Sequence, residues 1–104
     1  MTNQELKTRL DTTNLPVAYY AFKTQTALPF ICYLEADSDN FGADGIMYQA
    51  IPRWDVELYC AKRDTTVEAS VEAALDGLFW QKSIMYLDDE KCYQILYTFE
   101  DLGG

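Results

Sequence analysis

From Trp54 to Leu78 the chain reads W-D-V-E-L-Y-C-A-K-R-D-T-T-V-E-A-S-V-E-A-A-L-D-G-L, and its hydrophobic period changes partway through. Trp54, Val56, Leu58 and Cys60 alternate with Asp55, Glu57 and Tyr59, the period of two that a half-buried strand requires. Past Lys62-Arg63 the period lengthens. Val67, Val71, Leu75 and Leu78 stand at i, i+4, i+8 and i+11, one stripe of an amphipathic helix. Thr65 and Glu68 have capping-box spacing, which sets the predicted helix start and puts Glu68, Glu72 and Asp76 on the expected wet side. A half-buried strand feeding such a helix predicts a sheet with helices laid on it.

The flanking segments extend this pattern. Thr2 and Glu5 form another capping box ahead of Leu6 and Leu10, predicting a short helix that ends near Thr12-Thr13-Asn14, before Pro16. Pro16 to Phe22 is apolar on both sides and reads as a strand covered on two faces, with Phe30 to Glu35 as its partner. Ile46 to Tyr59 resumes strand character, and Pro52 predicts a bulge or edge position within it. Ile84 to Leu87 and Cys92 to Phe99 read as a hairpin turning at Asp88-Asp89-Glu90-Lys91. The predicted order is α-β-β-β-α-β-β. This is an α+β fold with a mostly antiparallel sheet and two helices on one face, in a single domain spanning 1–104.

Composition narrows the chemistry. Seventeen acidic against eight basic residues give the 104-residue chain a formal charge of −9, and it contains no histidine. A Ser-His-Asp triad, a Cys-His dyad, a two-His zinc site and a histidine general base are therefore excluded within one chain. The charge opposes nucleic-acid binding, which draws its affinity from Lys and Arg at phosphates. Cys32, Cys60 and Cys92 are an odd set without C-x-x-C spacing and read as buried free thiols of a reducing compartment. The first residues show no signal-peptide pattern, and no apolar run reaches bilayer length, so neither secretion nor a membrane partner is expected.

Several groupings are candidate sites. Asp37, Asp39 and Gly42 match the first, third and sixth positions of a calcium loop, but Phe41 and Tyr48 replace required ligands, so no metal is expected. The stretch from Ala36 to Gly45 then reads as a solvated loop or as one that orders on a partner. Asp55 with Glu57, and Asp88 with Asp89 and Glu90, lack a hydrophobic pocket to split their pKa values and read as solvated carboxylates. No catalytic residue and no cofactor is expected. The eight tyrosines fall almost entirely on predicted strands, so one alternating set is expected to face away from the helices, either as an interface or half-buried with wet hydroxyls. Lys62-Arg63 reads as a solvated turn or as a contact with an acidic face of a neighbouring copy.

The chain resembles the small tail terminator, or tail completion, proteins of long-tailed bacteriophages. The resemblance is carried by the opening helix with Leu15-Pro16-Val17-Ala18-Tyr19 and Phe22, then by Leu28-Pro29-Phe30-Ile31-Cys32-Tyr33 and the turn from Asp39-Asn40-Phe41 to Asp44. It continues through Val56-Glu57-Leu58-Tyr59 with Lys62 and Asp64, the capped helix, and Tyr93-Gln94-Ile95-Leu96-Tyr97-Thr98-Phe99. It implies a non-enzymatic subunit that forms a ring, usually a hexamer, on the end of the tail tube. The ring ends tube polymerisation and docks the head connector, while DNA passes through the lumen. The partners implied are further copies of the chain, the tube protein and the connector; the location is the tail-to-head junction of the virion, after assembly in the bacterial cytoplasm. On this reading the expected interface residues are Asp37, Asp39, Phe41, Asp44, Trp54, Tyr59, Lys62 and Arg63. The alternative suggested by the −9 charge is an acidic DNA mimic that inhibits a host DNA-processing enzyme.

Overall fold

A computed structural model describes residues 1–36 and 52–100. The elements are α1 (Asn3–Asp11), β1 (Val17–Tyr19), β2 (Phe30–Ala36), β3 (Arg53–Cys60), α2 (Thr65–Ala74), β4 (Gln81–Leu87) and β5 (Cys92–Glu100). The fold is α+β in the expected order. Its five strands form one sheet ordered β1-β2-β3-β5-β4, antiparallel at every pairing except β1 with β2.

The alternation in β3 sets the core. Trp54, Val56, Leu58 and Cys60 lie opposite Phe99, Tyr97, Ile95 and Tyr93 of β5, while Ile31 and Tyr33 of β2 face Leu58 and Val56. Leu6 and Leu10 of α1, with Val71 and Leu75 at the end of α2, complete this cluster, so both helices cover the same sheet face. Each of these leucines is fully buried, a contribution of about 1.5–3 kcal/mol per side chain.

The helix ends follow their local chemistry. The Thr2 hydroxyl accepts from the Glu5 backbone N–H at 3.1 Å, as the capping-box spacing predicts. For α2 the cap is Asp64, whose carboxylate accepts from the Thr66 and Val67 N–H groups at 3.0 and 3.2 Å. Thr65 is the first helical residue, which corrects the predicted capping box. Here the Asp64 carboxylate, one residue earlier, already accepts from the free N–H groups of the first turn. At the other end of α2, Arg9 of α1 donates to the carbonyls of Ala74 and Asp76 at 3.2 and 3.0 Å, supplying the cation that the last turn of α2 lacks.

Two strand expectations change: β4 begins at Gln81, three residues before the expected Ile84, and β1 is shorter than read. The segment read as a strand from Pro16 to Phe22 keeps only Val17–Tyr19, because Tyr20 takes a left-handed φ of 68° and Ala21 N–H turns back onto the Tyr19 carbonyl. The connection through 20–29 then folds under the far face of the sheet. Phe22 packs edge-on against Phe30 at 5.2 Å, and Phe30 lies 5.1 Å from Tyr59. The predicted strand portion before Pro52 lies outside the described residues. The Asp88–Lys91 hairpin turn forms as expected, with Lys91 left-handed at φ 55°.

Candidate functional site

The tyrosines do not form an outward set. Tyr19, Tyr33, Tyr86, Tyr93 and Tyr97 all share the helix-side face with Val56 and Leu58, and among described strand tyrosines Tyr59 alone looks the other way. The strand register decides this, because it aligns the tyrosine positions of β2 and β5 with the apolar positions of β3. Tyr59 donates to Glu57 at 2.8 Å and accepts from Gln94 at 3.0 Å, and burial together with the Glu57 carboxylate raises its pKa. It lines a cleft of about 450 Å³ with Phe22, Leu28, Phe30, Cys32 and Cys92. All three cysteines are free and buried, as expected, and burial pushes each thiol pKa up.

Trp54 is also turned inward. It is 3% exposed and packs within the core of the single chain. Its Nε1–H and the Nε–H of neighbouring Arg53 are buried without a hydrogen-bond partner among the described residues. Arg53 lines an open cleft of about 480 Å³ on the far face with Asp55, Gln81, Leu96, Thr98 and Glu100, and Phe79 stands at its rim.

The charged groups converge at the seam between α2 and the β5–β4 hairpin. Glu68, expected on the wet side, is 2% exposed. It takes a two-pronged contact from Arg63, with Nε to Oε2 at 2.8 Å and Nη2 to Oε1 at 3.0 Å, and Lys82 approaches Oε1 at 2.8 Å. Lys82 also meets Glu72 Oε2 at 2.8 Å, the oxygen to which the Tyr97 hydroxyl donates. The Arg63 hydrogen bonds and Lys82 outweigh burial and hold the Glu68 carboxyl at about 2. Lys82 and Tyr97 likewise hold Glu72 low, while burial and the Glu72 carboxylate push Tyr97 up. At neutral pH the cluster thus carries two cations, two anions and a protonated phenol, and it clamps α2 to the sheet.

Arg63 pairs with Glu68 of its own chain while its side chain stays 41% exposed, and Lys62 beside it is exposed as well. Asp37, Asp39, Phe41 and Asp44 lie outside the described residues. A sequence signal for the cluster existed in Glu68 and Glu72 one turn apart and in Lys82, the lone charge between Asp76 and Asp88.

That same interval forms an edge of the sheet among the described residues. Every residue from Gln81 to Tyr86 is exposed, including Ile84 at 43%, Met85 at 58% and Tyr86 at 45%, and Phe79 just before the strand is 89% exposed. Among the described residues no group of His, Cys, Asp and Glu is arranged to hold a metal ion, and no helix is long and apolar enough to cross a membrane. Comparison with protein-family models and with curated proteins gives no match for the chain.

Proposed function

We propose that this chain is a structural assembly subunit of a long-tailed bacteriophage or prophage: a tail terminator that caps the tail tube, ends its polymerisation and forms the docking ring for the head connector. The observation that carries the reading is the contrast between the β4 edge and the rest of the surface. A strand at the sheet edge among the described residues, bearing exposed Ile84, Met85 and Tyr86, suits protein contacts, while a net charge of −9 repels DNA moving through a lumen. The site is then the virion's tail-to-head junction, with the tube protein, the connector and further copies of this chain as partners.

The test is direct. Purified protein is added to growing tail tubes and the tubes are imaged by negative-stain electron microscopy, with native mass spectrometry of the capped ends. Terminal rings and arrested growth are expected. Tubes that elongate normally, with no protein at their ends, would refute the role.

A further inference from the structure

We infer that β4 is a self-recognition edge, through which two copies of this chain join antiparallel about a two-fold axis at Ile84 to give one continuous sheet. This names a partner for the β4 edge on which the proposed function also rests, and its test, which uses no tail tube, can fail separately from that reading.

Edge strands are normally protected by charge, proline, bulges or short length. β4 has none of these. It runs seven residues in unbroken register with β5, without proline or glycine. At about 3.3 Å per residue that is roughly 23 Å of edge whose outward N–H and C=O groups pair with no strand among the described residues. Its one charge, Lys82, is turned to the helix side and held by Glu68 and Glu72, so it does not guard the edge.

Charge selects a second copy as the occupant. Two chains of net charge −9 repel across most of their surfaces, yet no acidic residue lies between Asp76 and Asp88, and Arg63 and Lys82 balance Glu68 and Glu72 beside the strand. The two chains can therefore approach along this edge with the least repulsion.

The strand is also complementary to itself. Centring the pair on Ile84 overlaps all seven residues. Ile84 then meets the second copy's Ile84, Lys82 lies beside the second copy's Tyr86, Ser83 faces Met85, and Gln81 faces Leu87. No like charges oppose, and the two Ile84 side chains meet on the helix-side face of the joined sheet. A head-to-tail joint fares worse, because the opposite edge, β1, offers only three residues, preceded by Pro16 and ended by the left-handed turn at Tyr20.

The test uses the full chain without tubes. Analytical ultracentrifugation up to about 1 mM is expected to show a monomer–dimer equilibrium, since edge contacts fall at the small end of stable interfaces. Ile84→Lys places like charges on the axis and removes two isoleucines from it, and is expected to weaken the pair by about 100-fold. Circular dichroism checks that this half-exposed position leaves the fold intact. Ile84→Cys is expected to form a disulfide with its own copy under mild oxidation, because directly opposed antiparallel positions bring Cα atoms to about 4.5–5.5 Å, while Ser83→Cys alone is not. The native cysteines are buried and do not compete. A wild-type chain that stays monomeric throughout would overturn the proposal. So would a dimer that survives Ile84→Lys, or one that gives no Ile84→Cys cross-link.

Discussion

Replacing Glu68 with Gln tests whether the clamp at the helix–hairpin seam holds the fold together. The substitution keeps the shape and removes the charge, leaving Arg63 and Lys82 without their shared anion. Held at about 2 in the folded chain against an ordinary value near 4.5, the carboxyl contributes about 3 kcal/mol of stability at neutral pH. Solvent around the 41%-exposed Arg63 side chain screens part of this, so the expected loss is about 2–3 kcal/mol, or roughly 10–20 °C in Tm for a chain of this size.

The sign follows from proton binding. Between about pH 5 and pH 2 the unfolded chain has taken up a proton at Glu68 that the folded chain refuses, so the contribution is complete above the unfolded value and fades as pH falls through the folded one. Urea unfolding at steps from pH 7 to pH 2, followed by tryptophan fluorescence, is expected to show the wild-type advantage shrinking steadily below pH 5. The other carboxylates also protonate over this range and relieve self-repulsion, but they do so in both proteins, and the difference between the two curves isolates Glu68. A wild-type advantage that is absent at pH 7, or that stays constant down to pH 2, would refute the account of the clamp.

Two further substitutions test the helix ends. Asp64→Ala removes the side chain that accepts from two α2 N–H groups and is expected to lower stability by about 1 kcal/mol in urea unfolding, while Thr65→Ala changes it by no more than a few tenths. Arg9→Ala strips the guanidinium from the Ala74 and Asp76 carbonyls; the expected loss is also about 1 kcal/mol, with faster hydrogen exchange at the amides of the last α2 turn.

Much of this architecture was legible because local pattern and tertiary fold agree. The alternation from Trp54 to Cys60 and the stripe through Val67, Val71 and Leu75 each describe one buried face, and each is buried as read, with Val67 packed at the margin of the core. The errors share another cause. A period of two states that a strand has two faces without saying which meets the helices, so the tyrosines of β2 and β5 could be assigned only once register with β3 was known. The shortening of β1 to three residues depends on the left-handed turn at Tyr20, a conformation that a tyrosine side chain does not announce.

Glu68 shows a different kind of miss. It stands three and seven residues before Val71 and Leu75, on the same line of the helix, so the spacing that marked the apolar stripe already included it. The assumption that a glutamate lies on the wet side overrode the geometry. A carboxylate on that line is affordable only with partners, and they come from either side of α2: Arg63 five residues earlier and Lys82 from the next strand. Drawing Lys82 toward the helix in turn takes the only charge of β4 away from its open edge. The pairing that fixes α2 to the sheet thus leaves Ile84, Met85 and Tyr86 unguarded, and the clamp inside the subunit and the surface it offers to others follow from one arrangement of charges.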